Sequence, residues 1–144
     1  MSKRESIRYL EKGIPEEFYT ELEQVISFAP SSCDRKGVEI EWVTDRKQKE
    51  ILSGMMVGGL GWMHRADRLG LLWARKLAYK SPNDLPNMYL DAGILANQVY
   101  LYATANKVGC CFVNPNCNDI DYVRKMFNTQ DILCGTLVIG KEVV

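Results

Sequence analysis

Apolar residues recur along the chain at two spacings, which predict alternating helices and strands. Residues 14–29 carry apolar side chains every three or four positions, the pattern of one helix face, and Pro30 ends that helix. Residues 38–43 alternate apolar and acidic side chains, as half-buried strands do. Asp45 is placed to cap a helix that runs to about Met56. Residues 69–74 form a short apolar run, which indicates a buried strand.

The second half of the chain continues the alternation. The pattern predicts a long helix over 84–106, a strand over 110–113, a short helix over 119–127 and a strand over 133–140. The long helix is apolar on nearly all sides, so it is either the central helix of the domain or part of a subunit interface. The order α-β-α-β-α-β-α-β predicts helices covering a sheet in an α/β or α+β fold, as a single domain over 1–144.

Composition narrows the function classes. The chain has 144 residues, 47% of them hydrophobic, as in an ordinary globular domain. Its 18 basic and 18 acidic residues give a net charge of zero, which argues against a protein built to bind nucleic acid. No apolar run approaches the ~20 residues that cross a bilayer, and the first residues resemble no secretion signal. We therefore expect a cytoplasmic protein without a membrane partner.

Cysteine and histidine usage gives no sign of a metal site or a catalytic side chain. The only histidine is His64, and nothing near it suggests a nucleophile that it could activate. Metal sites that need two histidines are excluded. The cysteines have no spacing typical of zinc, so we expect them to pack as small apolar groups; they are residues 33, 110, 111, 117 and 134.

Two polar segments are candidates for ligand binding. Arg4, Ser6 and Arg8 share one side of an extended segment, where two guanidinium groups and a hydroxyl could hold a phosphate. From the residues alone, a solvated basic terminus is the alternative. The second segment follows the first helix and could offer backbone N–H groups and hydroxyls, or be an ordinary loop; its candidates are Pro30, Ser31, Ser32 and Asp34. Gly58, Gly59 and Gly61 do not complete a dinucleotide-binding fingerprint and indicate a turn.

Taken in order, these segments resemble the nitroreductase family of FMN-dependent flavoproteins. The resemblance begins with Arg-x-Ser-x-Arg, Ile-Pro-Glu-Glu and Ala-Pro-Ser-Ser. It continues with the Asp-Ala-Gly of the long helix at 91–93, the Gly-Cys-Cys-Phe-Val strand at 109–113 and the Leu-Val-Ile-Gly-Lys strand at 137–141. Each motif is short, but the ordered set covers nearly the whole chain.

The resemblance implies an α+β fold and a flavin chemistry. The fold would be a three-layer α/β/α sandwich with a mixed, mostly antiparallel central sheet. The protein would be a homodimer that binds FMN at the subunit interface and transfers hydride from NAD(P)H to nitroaromatic, quinone or similar acceptors. Because the flavin carries that chemistry, no catalytic side chain is expected.

The resemblance also assigns roles to residues. Arg4, Ser6 and Arg8 would hold the FMN phosphate and ribityl chain. The second segment, with Pro30, Ser31 and Ser32, would reach the flavin of the other subunit. The loop after the 110–113 strand would lie along the flavin ring, with Asn114, Pro115 and Asn116.

Three departures from the family pattern keep alternatives open. Asp34 stands where the family commonly has asparagine, so an amide donor is replaced by an acceptor, and Lys36 is the nearest candidate to supply the donor. The segment between the two middle strands is short, which implies a reduced lid over the flavin. The sequence also ends soon after the last strand. The alternatives are a flavin- or nucleotide-binding module without turnover and a structural dimer with an empty cleft.

Overall fold

The computed structural model describes residues 10–31, 36–79 and 81–143. Its helices and strands follow the predicted alternation, with one addition, a two-residue strand before the first helix. In chain order they are β1 (Leu10–Glu11), α1 (Glu16–Ile26), β2 (Val38–Val43), α2 (Arg46–Ser53), β3 (Arg68–Ala74), α3 (Leu85–Ala105), β4 (Gly109–Val113), α4 (Ile120–Met126) and β5 (Ile132–Glu142).

The strands form one sheet around β5. The spatial order is β2–β3–β5, with β4 paired to the same stretch of β5 from the other edge and β1 paired to the last two residues of β5. Thr136 of β5 lies between Leu71 of β3 and Val113 of β4, which fixes the register across the centre. Every pairing in the described residues is antiparallel, so the parallel part of the expected mixed sheet does not occur among them.

Successive side chains of β3 point alternately into two buried cores, one on each face of the sheet. Leu72 and Ala74 pack beneath α1 and α3, together with Leu137 and Ile139 of β5. Side chains of the opposite parity, such as Leu71, pack beneath α2 and α4. Helices therefore cover both faces of an antiparallel sheet, which confirms the expected α+β fold with three α/β/α layers.

The caps of the first two helices follow from local sequence. Pro15 adopts the extended conformation before α1, and Glu16 and Glu17 place negative charge in its first turn. The Asp45 carboxylate accepts a 2.9 Å bond from the backbone N–H of Gln48, which confirms the predicted cap of α2. That helix ends earlier than predicted, because the backbone that follows it pairs with the loop after β4.

Two glycines in the sheet let β1 approach closely. A Cβ on Gly109 would lie 2.3 Å from a side-chain carbon of Leu10, and one on Gly140 would lie 2.8 Å from the Leu10 Cβ. Leu10 is consequently almost fully buried. This contact places Leu10 beside the start of β4 and the end of β5.

Candidate functional site

A cleft of about 410 Å³ opens between the end of α1, the start of β2 and the middle of α3. Its size lies within the range of small-molecule sites. The cleft is lined by both apolar and polar residues. The apolar residues are Ile26, Ala29, Pro30, Val38, Ile40 and Leu95. The polar residues are Glu23, Ser27, Ser31, Lys36, Glu39 and Asp91.

Hydrogen bonds across the cleft's loop fix its polar edge. The backbone N–H of Lys36 donates to the Ser31 hydroxyl oxygen at 2.8 Å, and the Lys36 ammonium donates to the carbonyl of Ser27 at 2.7 Å. Lys36 has a φ of 47°, a left-handed conformation that lets both donors point back toward the end of α1. The ammonium and the hydroxyl therefore stand together at the rim of the cleft.

The predicted site residues of this segment divide into two sets. Pro30 is exposed and Ser31 half-buried, and both line the cleft. Ser32 and Asp34 lie outside the described residues, and so do Arg4, Ser6 and Arg8 near the start of the chain.

The predicted loop after β4 lies elsewhere. The carbonyl of Asn114 accepts a bond from Val57 N–H at 2.8 Å, and the N–H of Asn116 donates to the Met55 carbonyl at 2.8 Å. Pro115 forms an isolated bridge with Met56, whose side chain is buried in the core beneath α2 and α4. The loop is thus tied to the α2 layer, whereas the cleft belongs to the α1 and α3 layer. The residues lining the cleft include none from this loop.

The glycine turn directly follows this pairing. Gly58 and Gly61 have φ values of 72° and 93°, which confirms the predicted turn. The Trp62 indole N–H closes it with a 2.6 Å bond to the Gly58 carbonyl.

A buried acid in the cleft wall was not recognised as a site residue from the sequence. Asp91 of α3 is only 4% exposed, and its carboxylate accepts a 2.6 Å bond from the hydroxyl of Tyr79. The available signal was a charged residue four positions before Leu95, on a helix face that is otherwise apolar. Tyr79, by contrast, lies in a turn after β3, where no periodic pattern predicts its hydrogen bond to Asp91.

The described thiols are not poised as nucleophiles. Cys110, Cys111 and Cys134 are buried, in agreement with the expected packing role. Burial raises the pKa of the Cys134 thiol to about 11, so that it stays protonated at neutral pH. Among residues 10–31, 36–79 and 81–143 no three His, Cys, Asp or Glu side chains are grouped as a metal site would require. No helix within these ranges is long and apolar enough to cross a membrane.

Comparison with protein families decides the assignment. The sequence model of the nitroreductase family matches residues 58–141, more than half of the chain. The chain belongs to the nitroreductase family. This membership identifies it as an oxidoreductase in class. No curated protein matches its sequence significantly.

Solved nitroreductases share the fold at low sequence identity. The FMN-dependent nitroreductase of Clostridium difficile R20291 is 19% identical, with a TM-score of 0.81 over 99% of this chain and 85% of that one. Nitroreductase CinD of Lactococcus lactis, solved in complex with chloramphenicol, is 16% identical, with a TM-score of 0.84 over 98% and 86%. NfrA1 of B. subtilis is 17% identical, with a TM-score of 0.87 over 97% of this chain but 64% of that one.

Proposed function

We propose that this nitroreductase is an FMN-dependent enzyme that transfers hydride from NAD(P)H to nitroaromatic, quinone or similar acceptors. The observation that carries the proposal is the cleft itself, because a nitroreductase-fold chain presents its Pro30–Ser31 segment there together with an ammonium group. When bound, FMN would supply the chemistry by accepting and then donating a hydride.

The donor set of the cleft fits a flavin. The ring of FMN combines apolar edges with polar carbonyl and imide groups, and the cleft pairs the apolar side chains of Ile40 and Leu95 with the polar rim. At that rim, the Lys36 ammonium can donate to a flavin carbonyl, and the Ser31 hydroxyl can donate or accept. In this proposal Lys36 takes over the role of the amide that Asp34 replaces.

The separation of the two candidate loops supports a homodimer. Within one chain, Ser31 lies on the α1 and α3 layer and Asn114 is tied to the α2 layer. A flavin that contacts both loops would need them from different subunits. We propose that Pro30 and Ser31 of one subunit face Asn114, Pro115 and Asn116 of the other across the flavin.

The outer face of α3 offers a surface for that assembly. Leu90, Ile94 and Leu101 are exposed on it, with Gly93 between them. Spacings of three, four and seven residues place these side chains on one stripe. We propose that this stripe packs against a second copy of the chain.

The first test is spectroscopic. Purified protein titrated with FMN should bind it and change its visible spectrum, and anaerobic mixing with NADH or NADPH should then bleach the flavin band. Lys36→Met should weaken FMN binding about ten- to a hundredfold, because it removes a charge-assisted bond. Lys47→Met, on the exposed side of α2, is the matched control and should bind as the wild type does. Flavin that binds but stays oxidised with both nucleotides would instead identify a binding module without turnover.

The phosphate end of the site has a separate test. We propose that Arg4, Ser6 and Arg8 hold the FMN phosphate. Arg4→Ala or Arg8→Ala should then weaken FMN binding about tenfold or more, while affinity for riboflavin, which has no phosphate, stays the same. Equal losses for FMN and riboflavin would remove the two arginines from the phosphate site.

A further inference from the structure

The cleft wall contains a buried polar pair that ligand contact alone does not explain. Tyr79 is 5% exposed and Asp91 4%, and the bond between them is a short 2.6 Å. A carboxylate removed from water is unfavourable unless it is hydrogen-bonded, so this pair is retained at a cost that an apolar pair would avoid. Asp91 lines the cleft, whereas Tyr79 is not among the lining residues and its ring packs against Gly37.

Tyr79 packs directly on the backbone of that loop. A Cβ on Gly37 would lie 2.4 Å from a ring carbon of Tyr79 and 2.7 Å from its hydroxyl oxygen. Only glycine leaves room for this contact. The ring whose hydroxyl is bonded to Asp91 is therefore in close contact with the backbone at Gly37.

Arg75 also binds the backbone of Lys36 and Gly37. Its N–H donates to the Gly37 carbonyl at 2.7 Å, and its guanidinium donates to the Lys36 carbonyl at 3.0 Å. Two consecutive peptide groups of the loop are thus fixed between the end of β3 and the Tyr79 ring.

These contacts end at the polar rim of the cleft. Lys36 directly precedes Gly37 in the chain. Its backbone N–H donates to the Ser31 hydroxyl oxygen, and its ammonium donates to the Ser27 carbonyl. A continuous set of contacts therefore joins Asp91 on α3, through Tyr79 and Gly37, to the rim.

We propose that Tyr79 and Asp91 are positioning residues. Their hydrogen bond holds the 36–37 backbone so that the Lys36 ammonium and the Ser31 hydroxyl present one arrangement to the ligand. The identity of that ligand as FMN rests on the proposed function. The positioning of the loop does not.

The test compares two tyrosines that make the same kind of bond. Tyr79→Phe keeps the ring against Gly37 and removes the bond to Asp91. Tyr102→Phe is the control for the loss of a tyrosine–carboxylate bond as such, because the Tyr102 hydroxyl donates to the Glu21 carboxylate at the same 2.6 Å in an exposed position away from the cleft. Asp91→Asn keeps an acceptor for the Tyr79 hydroxyl and should keep wild-type hydrogen exchange over residues 36–40, whereas Asp91→Leu should not.

Two readouts are measured on all four variants. Amide hydrogen exchange without FMN should become about tenfold faster over residues 36–40 in Tyr79→Phe and Asp91→Leu, with β3 and β5 unchanged. Tyr79→Phe, whose side chain is not among the cleft-lining residues, should bind FMN about tenfold more weakly, whereas Tyr102→Phe should match the wild type.

The outcomes separate the two proposals. Unchanged exchange over 36–40 in Tyr79→Phe, or an equal increase throughout the chain, would overturn the positioning role. Faster local exchange in a protein whose wild type takes up no FMN would support the positioning role and overturn the proposed function. Faster local exchange with weaker FMN binding supports both.

Discussion

The helices α1 and α3 cover the same face of the sheet but differ in what they present to solvent. On α1, Phe18, Tyr19 and Leu22 are buried, and the outward positions are mainly acidic or amide residues such as Glu17 and Gln24. α3 has a similar buried face, but exposed apolar side chains lie beside it: Leu90 is 63% exposed, Leu101 50% and Ile94 37%.

This difference shows which helix leaves more apolar side chains exposed in the single chain. Apart from Val25, which is 36% exposed, the apolar residues of α1 lie on its buried or half-buried side, and its polar residues face water, as in a surface helix. α3 carries more apolar surface than the sheet and α1 can cover. Exposed apolar side chains that share one helix face, here with Asn97 and Gln98 between Ile94 and Leu101, are typical of an interaction surface, which is why we propose a second copy there.

The largest expected effect is on the buried side of α1. Leu22 is fully buried, so Leu22→Ala should lower the free energy of unfolding by about 2–5 kcal/mol, through lost burial and the cavity left behind. Chemical denaturation measures this loss, and the association state of the folded protein should not change. A loss below about 0.5 kcal/mol would mean that α1 is not packed as described.

On the outer face of α3 the effect should be on association. Leu90→Glu would place an unpaired charge in the proposed interface and should weaken dimerisation about a hundredfold or more. Gln24→Glu adds the same charge to the exposed side of α1 and should leave dimerisation unchanged. Sedimentation equilibrium compares the two variants. Identical association constants would remove the α3 stripe from the interface.

The sheet beneath both helices can be examined through Cys134. The pKa of its thiol is raised by burial to about 11, above the value near 9 of an accessible thiol. Between pH 9 and pH 11 the thiol therefore ionises only in the unfolded state. Its contribution to the free energy of unfolding is fully present below pH 9 and is lost by about pH 11. Over that range the free energy of unfolding of the wild type should fall by about 2–3 kcal/mol more than that of Cys134→Ala. Parallel pH profiles would show that water reaches the thiol.

The smallest effect concerns Gly93 in the exposed stripe. A Cβ at this position would meet nothing within 4 Å in the single chain. In the dissociated Leu90→Glu background, Gly93→Ala should therefore raise the free energy of unfolding by about 0.5–1 kcal/mol, the usual gain for alanine in a helix. A decrease in that background would contradict the open space around Gly93.

The sequence predicted the elements well because each has its own pattern. Alternation in β2, the apolar run of β3 and the periodicity of α1 and α3 are local properties, and the predicted spans agree with the structure to within a few residues. β1 was missed because two residues are too few to show a pattern. The order of strands around β5 depends on pairing between distant segments, which no local pattern encodes.

The site was predictable only where its residues share a segment. Pro30 and Ser31 were found because small polar residues follow a helix end, and both line the cleft. Tyr79 and Asp91 are twelve residues apart in the chain, and their contact accompanies a close approach at Gly37. No local sequence pattern predicts it. The roles proposed for Arg4, Ser6, Arg8, Asp34 and Asn114 rest on resemblance to the family.

The central claim, a flavin site built from two subunits, is tested most directly by mixing two defective variants. Ser31→Trp should block the cleft side of the site and Asn114→Trp the loop side, so that neither homodimer binds FMN. A mixed dimer has one site with both defects and one with neither, and random mixing should therefore restore about a quarter of the sites. Flavin content after co-refolding or subunit exchange measures this. Recovery near one quarter is the predicted result, whereas no recovery from a mixture that contains mixed dimers would contradict a shared site.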